Sequence, residues 1–233
     1  MGDIYDITDL EMLARDCLTR AGVSRDVASC VARDVALAEV SGQIDSGFEA
    51  LLRDIRLTRY GRLHPDAVPV VRRMATTILR VDAQHGFATC ALAKGLSALA
   101  DTTRAEGMAM VHLTRASDPG AMVATLSALA GQGLAALAAH GGGQVYAIRP
   151  DTAHVMAVGG SAPSMLSALL SLAPVAGDSP LGGPVDHCAW LVALDPAASA
   201  AAELLACLPV SAAPEAPGRI ALAPDLLAQI VNA

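Results

Sequence analysis

Apolar residues recur at helical spacing through Leu10, Leu13, Ala14, Cys17 and Leu18, the signature of a helix with one buried face. Asp9 stands at the head of this run as a candidate N-cap, and Ala21-Gly22 closes it. Ser24 is placed to cap a second helix, whose stripe is Val27, Cys30, Val31, Val35 and Ala38. A loop bounded by Gly42 and Gly47 leads to a third helix predicted over residues 48–60, and Gly61, Pro65 and Pro69 end this helical unit.

From Ala75 the period changes. Residues 76–81 read as a strand, 88–104 as a helix and 109–113 as a second strand. Helix, strand and strand follow over 121–130, 134–139 and 145–148. Further on, helices over 165–172, 197–208 and 223–231 and a strand over 188–194 fit the pattern. A Gly/Pro-rich loop occupies 175–185 and an Ala/Pro-rich linker 211–217. Strands alternating with helices predict an α/β architecture, with an N-terminal helical unit (1–70) packed on a mixed sheet core (71–163) that a shorter C-terminal part (164–233) completes.

Composition adds three constraints. Hydrophobic residues make up 53% of the chain and aromatic ones 3%, so a large core is built mainly from Ala, Leu and Val. The net charge is −7, Lys94 is the only lysine, and no basic stripe is interleaved with aromatics, which argues against nucleic acid as a partner. The five cysteines include no CxxC pair, so neither a metal site nor a disulfide framework is expected and each reads as a small buried residue. The acidic N-terminus is unlike a signal peptide, and no apolar run reaches the ~18 residues of a membrane span. A cytoplasmic location with no membrane partner is the expectation.

Three stretches carry a resemblance. The first is Ala38-Glu39-Val40-Ser41-Gly42-Gln43-Ile44-Asp45-Ser46-Gly47 with Arg53 and then Tyr60-Gly61-Arg62-Leu63-His64-Pro65. The second is Val81-Asp82-Ala83-Gln84-His85-Gly86, leading to Glu106-Gly107-Met108-Ala109. The third is Thr114-Arg115-Ala116-Ser117-Asp118-Pro119-Gly120-Ala121. Their order and spacing resemble the malate/L-lactate dehydrogenase family of non-Rossmann NAD(P)-dependent oxidoreductases. The resemblance implies that family's fold, with a reduced cofactor domain, and a homodimer.

The departures from the family pattern set the functional expectation. Where the family carries a Ser-His-Gly whose histidine gives a proton to the substrate carbonyl, this chain has Asp45-Ser46-Gly47. A serine hydroxyl is a poor general acid near neutral pH. A family arginine falls on Ala50, with Arg53 kept, and a second family histidine aligns with Asp118. The family's cofactor-lining Gly-Thr-Asn-Pro is represented by Gly160-Ser161-Ala162-Pro163, which makes Ser161 and Pro163 vestigial cofactor residues. Gly141-Gly142-Gly143 opens no predicted helix and reads as a turn rather than a phosphate loop.

These exchanges lead to the expectation of a non-redox enzyme, needing no cofactor, acting on a small 2-oxo acid, imine or related carboxylate. The alternatives are an NAD(P)H-dependent reductase of a 2-oxo acid or cyclic imine, with Asp118 or His140 as proton donor, and a non-catalytic dimeric binding subunit. The candidate catalytic residues are Ser46, Asp45, Asp118 and His140. His140 is included because it ends a predicted strand, and ligands of α/β sheets bind at the carboxyl ends of strands. Asp45, Ser46 and Asp118 serve equally well as turn or cap residues. Arg53 and Arg115 are candidate ligands for a substrate carboxylate. His64, His85, His154 and His187 read as structural.

Overall fold

The computed structural model describes residues 4–140, 144–151, 155–157, 184–198 and 220–232. Its helical part begins with α1 (Ile7–Arg20), whose cap is Asp6 rather than the expected Asp9. The Asp6 carboxylate accepts from the Asp9 amide, and Asp9 accepts in return from the amide of Asp6, a reciprocal capping box. Two acids three residues apart can both look like caps, and the reciprocal bonds make the earlier one the boundary. Helix α2 (Arg25–Val40), a single 3-10 turn (Ile44–Ser46) and α3 (Phe48–Arg59) follow. Their facing stripes, with Leu10, Leu18, Phe48, Leu51 and Ile55 inside, bury one apolar core.

The sheet starts earlier than the sequence suggests. Strand β2 (Val70–Ala75) pairs antiparallel with β3 (Ile78–Gly86), so Thr76 and Thr77, expected to open a strand, form the turn between two. A short β1 (Ile4–Tyr5) pairs separately with β9 (Ile220–Ala221). Helix α4 (Ala88–Glu106) connects β3 to its parallel neighbour β4 (Met108–Ala116). Then come α5 (Val123–Ala130), β5 (Ala135–His140), β6 (Val145–Ile148), β7 (Met156–Ala157), β8 (His187–Leu194) and the closing helix α6 (Pro224–Val231). Helix α6 packs into the helical core through Ile230.

The main sheet has the order β2-β3-β4-β8-β5-β6-β7, and among its described pairs β3–β4 alone is parallel. Alternation along β4 turns Ala109, Val111 and Leu113 towards α4 and α5, where they join Leu99, Leu126 and Leu129 in the second core. On the opposite face His112 of β4 stacks on its directly paired neighbour Trp190 of β8, with ring centroids 4.1 Å apart. The architecture is the mixed α/β class expected, with the helical unit packed on the sheet. The helices predicted over 165–172 and the bulk of 197–208, and the linker over 211–217, lie outside the described residues. Among the described residues no helix is long and apolar enough to cross a membrane.

Candidate active site

The Ile44–Ser46 turn is built as a joint. Glu39, buried near the end of α2, accepts from the Phe48 amide at 2.7 Å and so ties α2 to the first turn of α3. A side chain at Gly47 would overlap the Glu39 carboxylate, which is why glycine stands there. Burial pushes the Glu39 carboxyl above its ordinary range, against the opposing pull of the Phe48 amide. Ser46 reaches across to the third motif, its Oγ accepting from the Ala121 amide at 3.0 Å. Gly120, at φ +53°, presses so close that an added Cβ would lie 2.8 Å from Ser46 Oγ. Asp45 beside it is exposed.

The space between this turn and the β4–α5 loop is small. Lined in part by Ser46, Asp54, Phe87 and Asp118, it amounts to about 30 Å³, room for one or two water molecules. Beneath it Asp34 of α2 accepts from Thr89 Oγ1 at 2.7 Å and from the Ala124 amide at 2.8 Å. Three helices are held by that one carboxylate, which burial raises above its usual range.

Charged groups gather nearby, at the carboxyl ends of β4 and β5. Asp118 follows β4, and its carboxylate meets Arg53 of α3 at 3.1 Å and accepts from the Gly120 amide. Arg53 also faces Asp54 at 3.6 Å. Burial pushes Asp118 up, but Arg53, the Gly120 amide and the neighbouring His140 and His187 outweigh it and keep the carboxyl below the usual range. Asp118 is thus ionised near neutral pH.

Sheet register brings the two histidines to this edge. In antiparallel pairs directly opposed residues share a face, and so do alternate residues of one strand. His140 opposes Ala189 and His187 opposes Ala116, so His140 and His187 project on the same face. Burial lowers the His140 pKa, with Asp118 pulling it the other way and His187 and Arg53 adding to the depression. Its ring is therefore neutral at pH 7, and its buried Nε2 has no hydrogen-bond partner among the described residues. The Tyr146 ring lies nearly parallel to it at 6.1 Å, and the Tyr146 hydroxyl donates to Gln144 Oε1 at 2.6 Å. Burial, with the charges of Asp118 and Asp45, raises the phenol pKa and keeps it protonated.

The structure therefore brings Arg53, Asp118 and His140 together and adds Tyr146 and His187, which sequence reasoning did not select. Tyr146 lay in a predicted strand whose alternation placed it on a face, with nothing local to say that His140 shared that face. Ser46 is engaged by a backbone amide. Arg115, in the left-handed region at φ +52°, grips Asp82 with two bonds of 2.9 and 2.6 Å, pinning the ends of β3 and β4 together. Ser161 and Pro163 lie outside the described residues, as does the triple glycine 141–143.

Similarities to known proteins bear on this geometry. Residues 5–203 match the family model described as malate/L-lactate dehydrogenase. The chain is 29% identical over 135 residues to Delta(1)-pyrroline-2-carboxylate reductase 2 of Burkholderia multivorans, covering 58% of this chain and 40% of that protein. It is 31% identical over 138 residues to the (2R)-3-sulfolactate dehydrogenase (NADP(+)) of Chromohalobacter salexigens, covering 59% and 41%. These matches thus span about two fifths of the relatives' own lengths. The fold is similar to that of the delta1-piperideine-2-carboxylate reductase from Pseudomonas syringae pvar. tomato, with a TM-score of 0.74, 18% identity and 99% of each chain covered.

These relatives overturn the expectation of a non-redox enzyme without a cofactor. The relatives are reductases and a dehydrogenase, and one carries NADP(+) in its name. The expectation had rested on exchanges at Ser46, Ala50, Asp118 and the 160–163 segment, and the first of these lies at a turn the structure uses as a joint.

Proposed function

Because the chain belongs to the malate/L-lactate dehydrogenase family, we propose that it works as an NAD(P)H-dependent reductase of a small cyclic imino acid, with a 2-oxo acid as the second substrate class. The observation that carries this reading is the cluster of Arg53, ionised Asp118 and neutral His140 at the carboxyl edge of the sheet. The remaining N–H groups of Arg53 offer a charge-assisted contact to a substrate carboxylate. The unpartnered, buried Nε2 of His140 suits a site that receives a polar group from outside the described residues. When bound, the reduced nicotinamide supplies the hydride.

Electrostatics favour the imine over the keto acid. Reduction of a ketone builds negative charge on oxygen and calls for a donor poised to hand over a proton. Here the nearest carboxylate is already ionised and the imidazole is already neutral. An imine nitrogen is basic enough to arrive as a cation carrying its own proton. Asp118 stabilises that cation, and His140 can accept a hydrogen bond from it. The names of the pyrroline- and piperideine-carboxylate reductases support the same choice.

The test is an assay of the purified protein with NADPH and NADH, comparing pyrroline-2-carboxylate with pyruvate by the loss of nicotinamide absorbance. Faster turnover of the imine is expected. A folded protein that oxidises neither cofactor with either substrate would sink the proposal.

A further inference from the structure

Two thiols outside this site face each other across a helix interface. Cys30 lies on α2 and Cys90 in the first turn of α4, each half-buried. The Cys90 Sγ is 3.9 Å from the carbonyl oxygen of Val27, which sits one turn before Cys30 on the same side of α2. Cys90 therefore rests on the strip of α2 that carries Cys30, which sets the two thiols beside each other across the interface. The neighbouring residues make this a junction of consequence. Thr89 binds Asp34, and the Ala88 amide donates to Ser117 Oγ, one residue before Asp118.

We propose that Cys30 and Cys90 form a reversible dithiol site that reacts with small-molecule disulfides such as glutathione disulfide, closing an intramolecular bridge between α2 and α4. The neighbouring Cys90 thiol lowers the Cys30 pKa, while Cys30 and burial raise that of Cys90, so Cys30 attacks first. Its sulfur takes one half of the small disulfide and releases the other as a thiol. Cys90 then loses its proton to water and displaces the second thiol from Cys30. Two protein thiols and one small disulfide become one protein disulfide and two small thiols, with no other oxidant. The bridge would fasten the helices that support the Asp34 joint and the loop carrying Asp118.

Folded wild-type protein is incubated with glutathione disulfide, alkylated and mapped by mass spectrometry without reduction. Its melting temperature is measured before and after dithiothreitol. A peptide pair linked through Cys30 and Cys90 is expected, with a melting temperature about 5–10 °C higher that dithiothreitol reverses. Glutathione stalled on Cys30, a bridge through any other cysteine, unreacted thiols, or a 30–90 bridge that fails to raise the melting temperature would each overturn it.

Discussion

The turn around Ser46 and the sheet edge around His140 lie close together, and both hold polar groups. They differ in what their polar atoms do. At the turn, Glu39 and Ser46 accept from the Phe48 and Ala121 amides, and Gly47 and Gly120 leave no space for larger groups. At the edge, Asp118 is held ionised, His140 is held neutral, and one buried nitrogen has no partner among the described residues. Glu39 and Ser46 have their acceptors spent on backbone amides, whereas desolvation beside a charge partner marks a group as a candidate for chemistry. Sequence position alone does not separate the two kinds.

Substitutions at the two places should therefore fail differently. The largest effect is expected for His140→Ala, which should lower kcat/KM for the imine by about 100-fold while shifting the melting temperature little. Steady-state kinetics and a thermal melt on the same preparation read both. Glu39→Ala should do the reverse. It leaves the buried Phe48 amide without its acceptor and should cost about 2 kcal/mol in urea unfolding, with kcat changed far less than by the histidine substitution.

Ser46→Ala should cost about 1 kcal/mol through the unpaired Ala121 amide and leave kcat within a few-fold. A loss as large as that of His140→Ala would erase the distinction between the two regions. The smallest effect concerns the edge alone. Asp118 opposes the burial that depresses His140, so Asp118→Asn should move the His140 titration further down, as read by NMR. The sign for stability follows. A histidine whose folded pKa lies below the unfolded value of 6.5 contributes stability above that value, and the contribution is lost as pH falls through the folded pKa.

The helical unit was legible because its stripes have one buried side: Leu10, Ala14, Cys17 and Leu18 fall on the face that packs inward. Strand β2 was not, because it is an edge strand whose residues from Val70 to Ala75 are mostly exposed, and without a buried face there is no alternation to read. Asp118 could be picked out because it aligns with a family histidine in the resemblance, and His140 because it ends a predicted strand. His187 could not, because its place depends on β8 lying between β4 and β5, a pairing of segments some 50 to 80 residues apart in sequence. Register of that kind is set by tertiary packing and leaves no local pattern.

The bond from Ala121 to Ser46 also bears on what position 46 can hold. With Gly120 seated against the hydroxymethyl group, the gap is the width of a serine. An imidazole placed there would displace the 120–121 backbone and strand an amide. A larger side chain at position 46 thus requires the 120–121 backbone to move with it, so the turn and the loop can change only together.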